Sequence, residues 1–293
     1  MYSPDFYEIV SEIVSVSCIT LLSLFFGRKV AAIDGPVYYV RGLLLLLYGL
    51  SWAFDLISCM SISTNNGNYI SCMIGLFNCV FLHTLTKIVL YLYFIEKTYI
   101  LSVPKTKRFS STFYLISLGL LLPYIGLVIL MIVYRIALVS DEYPYHCSIG
   151  FDLPASASIL AYDFFINTLF AGVFIKYTVS PSNAQQTSHQ STCLHVMAKR
   201  SIVVTIVSIL MSILNYAVII MAEGAPRGLM AMTAATFDVT VVACIVQWAT
   251  SHPAEMQTIE KLLQLGNGDK PVKLEIKQHQ EVVVLTEMAQ QRA

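Results

Sequence analysis

The chain has 293 residues, 56 % hydrophobic and 12 % charged, and its 18 basic and 18 acidic side chains cancel to a formal net charge of zero. That charged share is about half of the roughly one quarter found in soluble domains. Length alone would allow two soluble domains, but hydropathy excludes them, and no nucleic-acid partner is expected of so neutral a chain.

A bilayer core is about 30 Å thick, so a spanning helix needs roughly 20 mostly apolar residues. Runs of that kind fall at about 7–27, 37–61, 69–96, 112–139, 156–178, 201–222 and 229–250. In lipid each segment must satisfy its own backbone hydrogen bonds. The expected fold is therefore all-α, an integral membrane bundle of seven helices over residues 1–251.

The first run carries Glu8 and Glu12 at its start and no preceding basic segment, so it is expected to stay as a span and not to be cleaved as a leader. The second holds Arg41 near its start and Asp55 in its other half. The third contains Cys72, His83 and Lys87 and ends in Ile95-Glu96-Lys97. Pro123 should kink the fourth. The fifth holds Asp163, with Asn167 one turn further on the same face, and Gly172, which permits a close helix approach. Ser180 to Arg200 is rich in Ser, Thr, Gln and Asn and is expected to be mobile. Asn215 lies near the middle of the sixth run and Asp238 near the middle of the seventh. His252-Pro253 then breaks the helix. Residues 252–265 are expected to form an amphipathic surface helix with Met256, Ile259, Leu262, Leu263 and Leu265 on one side, and 266–293 a flexible cytosolic tail. No internal repeat of the transporter kind is visible.

Orientation follows from basic residues in short connections. Arg28 and Lys29, then Lys97, Lys105, Lys107 and Arg108, then Lys176, Lys199 and Arg200 lie on one side. The opposite connections hold Arg135 and Arg227 together with Asp141, Glu142, Asp152 and Glu223. The first set is expected in the cytosol, which puts the N-terminus outside and the C-terminus inside, with the plasma membrane as the expected location.

Cys59, Cys72 and Cys147 then fall at or near the outer surface, where an oxidising compartment favours one disulfide. Cys72–Cys147 is the preferred pair, tying the fourth-to-fifth connection to the top of the third helix. Cys59–Cys147 and three free thiols are the alternatives.

A charge at bilayer depth costs about 2.5–3.5 kcal/mol on insertion scales and so needs a partner or water. Lys87 is expected to pair with Asp238, or else with Asp163. His83, four residues before Lys87, shares its face. Asp55, His83, Lys87, Asp163, Asn167, Asn215 and Asp238 thus form the candidate intramembrane polar network or ligand pocket. A locking bridge, a switch and an ion path all remain open for it. Arg41 and Glu96 are expected to form a second bridge at the inner ends of helices 2 and 3, unless Arg41 reaches lipid head groups instead. The cluster Lys105, Lys107 and Arg108 is expected to meet lipid head groups.

The seventh run lacks the central lysine a retinal pigment requires, and no zinc, nucleophile-elbow or phosphate-loop motif is present. The six histidines are scattered, and neither metal nor cofactor is expected. An enzyme role would rest on Asp55 and Asp238 as intramembrane acids, in the manner of seven-helix terpene cyclases. A transporter or channel is the other alternative.

Cys72 at the outer end of the third run, Glu96-Lys97 at its inner end 24 residues later, and Pro104 eight residues beyond resemble the pattern of G-protein-coupled receptors. This chain differs in carrying Lys97-Thr98 where rhodopsin-like receptors have Arg-Tyr. It also has Phe237-Asp238-Val239-Thr240 where they have Asn-Pro-x-x-Tyr. Over nearly its whole length it is similar to fungal seven-helix receptor-like membrane proteins, a largely uncharacterised group. The segments carrying this are Tyr48-Gly49-Leu50-Ser51-Trp52-Ala53, Lys87-Ile88-Val89-Leu90-Tyr91, Phe94-Ile95-Glu96-Lys97, Cys147-Ser148-Ile149-Gly150, Tyr162-Asp163 with Asn167, Ala198-Lys199-Arg200, and Phe237-Asp238-Val239 with Trp248. The resemblance implies a receptor whose outer ligand sits beneath the Cys147 loop. Its inner face, with Arg41, Glu96, Lys97, Lys199 and Arg200, would meet a heterotrimeric G protein or another cytosolic effector.

Overall fold

The computed structural model describes residues 6–31, 39–64, 68–102, 111–139, 147–179, 188–222, 224 and 226–251. Within them seven helices are long and apolar enough to cross a membrane: α1 (Phe6–Ala31), α2 (Tyr39–Ser63), α3 (Tyr69–Leu101), α4 (Thr112–Val133), α5 (Leu153–Val179), α6 (Ser188–Met221) and α7 (Gly228–Thr250). A two-stranded antiparallel hairpin, β1 (Arg135–Val139) and β2 (Cys147–Phe151), joins α4 to α5.

The buried residues of α1 are Ser11, Ser15, Cys18 and Leu22. Their spacing of four, three and four places them on one stripe, and three of the four are small, which lets α1 lie close against α2 and α7. The Ser11 and Thr233 hydroxyls bond across to α7. The remaining faces of α1 leave Ile13, Val16 and Leu24 exposed, as α4 leaves Leu122, Ile125, Ile129 and Val133. Apolar belts of this extent have no stable place against water.

α3 runs through the middle, and nearly every residue from Val89 to Leu101 is buried. A π turn at Asn78–His83 interrupts it. Such a turn inserts one residue and rotates the remainder of the helix by about 100°. The Asn78 amide fastens it to α2, donating to the Phe54 carbonyl at 3.0 Å and the Ser58 hydroxyl at 2.9 Å. Cys72, before the turn, thereby meets the hairpin, whereas His83, Lys87 and Tyr91 bond to α5, α6 and α7.

Around Pro123 the helix tightens, with Leu121 N–H donating to Leu118 O at 3.0 Å and Leu122 N–H to Gly119 O at 3.1 Å. Pro123, lacking an N–H, then opens the second half of α4. This is the expected kink. The expected helix to residue 139 is corrected, because α4 stops at Val133 and Arg135–Val139 form β1. The β-branched Ile136 and Val139 suit a strand, and pairing with β2 satisfies their backbone. The expected mobile segment Ser180 to Arg200 is corrected from Ser188 onward. That part is the first turns of α6, anchored by Leu194, Met197 and Ala198, which are buried. The expected close approach at Gly172 is also corrected, since a Cβ there would meet nothing within 4 Å. The 252–265 helix, the 266–293 tail and Lys105, Lys107 and Arg108 lie outside the described residues.

The hairpin is held on two sides. Cys147 forms a disulfide with Cys72 of α3, with Cα atoms 5.9 Å apart. β2 also bridges to the turn before α7, Ser148 pairing with Arg227 and the Ile149 N–H donating to the Pro226 carbonyl at 3.2 Å. Gly150 permits this approach: a Cβ there would stand 2.1 Å from the Gly224 carbonyl oxygen. Gly224 itself has φ +82°, a conformation glycine adopts without strain.

Among the described residues the two larger of three apolar clusters lie toward opposite ends of the bundle. One, at the hairpin end, gathers Cys72, Leu76, Val80, Met131, Phe151 and Tyr216. The other, toward the opposite end, is rich in aromatic residues, including Tyr48, Tyr93, Phe94, Phe170 and Phe174. Between them lies a polar layer.

Candidate functional site

The polar layer is assembled by helical spacing. On α3, His83, Lys87 and Tyr91 follow one another at four-residue intervals and share a face. Asp163 and Asn167 do the same on α5, Ser212 and Asn215 stand three residues apart on α6, and α7 contributes Asp238.

Lys87 is at the centre. Its Nζ donates to Ser212 Oγ at 2.9 Å and to Asp238 Oδ1 at 3.1 Å, and stands 3.0 Å from Asp238 Oδ2 and 3.8 Å from Asp163 Oδ2. The expected Lys87–Asp238 pair therefore forms, and the alternative partner Asp163 joins it. Asp238 Oδ2 also meets His83 Nε2 at 2.9 Å. Asp163 accepts from the Tyr91 hydroxyl, from Tyr124 at 2.8 Å and from the Ser212 hydroxyl. Asn167 Nδ2 donates to the Tyr91 oxygen at 2.7 Å and to the Asp163 carbonyl at 2.8 Å. All of these side chains are buried. Burial strips the charges of water, so the two ion pairs and the hydroxyl donors supply the compensation that makes ionised groups tolerable there.

Tyr91, Tyr124 and Ser212 were not among the expected site residues. Tyr91 carried a usable signal, one helical turn beyond Lys87. Ser212 stands three residues before Asn215, a weaker hint. Tyr124 follows Pro123 in an otherwise apolar run and carried none.

Asp55 does not join this cluster. It is fully buried, and Thr240 of α7 donates to its Oδ2 at 2.8 Å. It makes an interhelical hydrogen bond, the alternative to contact with a ligand.

Above the polar layer lies a cavity of about 390 Å³ of atom-free space, counting its open mouth. Ile149, Gly150 and Phe151 of the hairpin line it from one side, and His83, Asn215, Tyr216 and Ala235 line it from the helices. Asn215 is only 4 % exposed, and its Oδ1 has no hydrogen-bond partner among the described residues. Below the layer, aromatic rings close the bundle, with Phe94 5.7 Å from Phe170 and 5.9 Å from Phe174, and Tyr91 6.3 Å from Phe170, centroid to centroid.

At the end of α3 away from the hairpin, Glu96 and Lys97 are buried, and Lys97 Nζ sits 5.4 Å from the centroid of the Tyr93 ring. Arg41 on α2 is half-buried and Lys199 on α6 is exposed. Arg200 stacks on Trp248 of α7 at 5.0 Å and donates to its carbonyl at 3.3 Å. Of the expected inner-face residues, Lys199 is the one most open to solvent. Among the described residues no group of three His, Cys, Asp or Glu side chains is arranged to hold a metal ion. No protein-family profile matches the chain, and comparison with curated proteins finds no match.

Proposed function

We propose that this chain is a multi-pass membrane protein of receptor type, with the hairpin end outside and the C-terminus in the cytosol. In this reading it sits in the plasma membrane and passes an outer ligand signal to a cytosolic effector such as a heterotrimeric G protein. The observation that carries the reading is a buried charge cluster shared by three helices, lying directly beneath a cavity that opens under a disulfide-tied hairpin. A ligand in that cavity would bias the packing of α3, α6 and α7 to the extent that it binds one packing better than another. Breaking the cluster would let the far ends of these helices move, where Arg200 and Trp248 hold α6 to α7. The oxidised pair at one end and the basic connections at the other support the orientation.

The aromatic layer below the cluster favours signalling by repacking over a conducting path. Asp238, engaged by both Lys87 and His83, is poorly suited to serve as a cyclase's proton donor.

Two measurements test the reading on the full chain. Epitope tags at the two ends should be accessible from opposite compartments. In vesicles with a reconstituted heterotrimeric G protein, Lys87→Met should change basal nucleotide exchange relative to the parent. Tags on the same side, or exchange equal to that of protein-free vesicles for both forms, would refute it.

A further inference from the structure

The charge balance of the cluster has a chemical consequence. One ammonium, Lys87, faces two carboxylates, Asp163 and Asp238. A buried site that is one positive charge short is costly, and anything that supplies that charge is bound in return. The cavity reaches the deficit through His83, whose Nε2 is committed to Asp238, leaving Nδ1 for whatever enters. Beside it Asn215 presents a buried, unpartnered carbonyl oxygen. The rest of the lining, including Phe151, Ile219 and Ala235, is apolar.

We infer that this cavity binds a small organic cation, a protonated amine on an apolar body. The ammonium lies against Asn215 Oδ1 and the His83 ring, and the body packs under the hairpin. The two acceptors fix the orientation, and the negative charge by which Asp163 and Asp238 together exceed Lys87 selects a cation over a neutral isostere. This rests on the receptor reading for the side from which the ligand arrives, but not for its chemistry.

The test uses the purified full chain in lipid nanodiscs, with 2-phenylethylamine as the probe and 2-phenylethanol as its neutral isostere, read by calorimetry and thermal stabilisation. The amine should bind at least about tenfold more tightly than the alcohol, the factor carried by one charge-assisted hydrogen bond. Asn215→Leu and the cavity-filling Ala235→Leu should both abolish the difference. The second leaves every charged group in place and guards against a folding artefact in the first. Equal binding of amine and alcohol, or binding of neither, overturns the inference. Binding is read without any effector, so amine binding with no effector response would sink the receptor reading alone. An effector response together with no preference for the amine would sink this inference alone.

Discussion

Removing the Lys87 charge tests the polar layer most directly. Lys87→Met keeps the length and apolar stem of the side chain and deletes its ammonium. At an effective dielectric of about 20, the pairs at 3.0 Å to Asp238 and 3.8 Å to Asp163 are each worth roughly 4–6 kcal/mol. Much of that is offset because the desolvation penalty of Lys87 itself also disappears. What remains is two buried carboxylates without their counter-ion, a condition that costs about 3–5 kcal/mol in buried pairs broken from one side. For a chain of this size that corresponds to roughly 6–10 °C in Tm. A thiol-reactive dye reporting on the free cysteines Cys18 and Cys79 during heating would read it in the detergent-solubilised full chain. Adding Asp238→Asn to Lys87→Met should restore at least half of the loss, because the second change removes one of the stranded charges. A single variant within about 2 °C of the parent, or a double variant that falls further, would mean that these charges do not stabilise one another.

Other perturbations separate the hairpin from the helices. Cys147→Ser opens a link between residues 75 apart and should cost about 2–4 kcal/mol. Non-reducing peptide mapping of the parent should recover Cys72 and Cys147 in one fragment. Gly150→Ala must push the hairpin off the turn at Gly224, costing about 1–3 kcal/mol and raising protease sensitivity between α4 and α5. Gly172→Ala should be neutral or stabilising by up to about 1 kcal/mol, because its surroundings are open and alanine suits a helix interior better. If the two glycine variants melted alike, the assignment of Gly150 as the point of close contact would fail.

The helices were legible because each apolar run is long enough on its own to satisfy the bilayer rule, with ends marked by polar residues. Their observed bounds differ from the expected ones by only a few residues in α1, α2, α5 and α7. The departures have local causes. Apart from Arg135, the strand Arg135–Val139 is as apolar as the helix before it, and periodicity alone does not distinguish so short a run in a strand from a last helical turn. Ser188 to Arg200 looks polar enough for a loop, yet Leu194, Met197 and Ala198 bury one face and hold it helical. Among the site residues, Lys87, Asp163, Asp238 and His83 stood out because a charge or imidazole in an apolar run needs an explanation. Tyr91, Tyr124 and Ser212 are common in such runs and acquired a role only through the neighbours that packing gave them.

Composition and hydropathy thus settle which segments of the described residues form helices long enough to cross a membrane and that their outward faces are apolar, because those properties depend on residues close together along the chain. Which acid Lys87 meets, that it meets two, and that Asn215 faces a cavity with an idle carbonyl depend on how α3 is turned about its axis. That rotation is set by the π turn at Asn78–His83 and by the helices packed around it. A shift of one residue there would carry Lys87 about 100° away from both carboxylates.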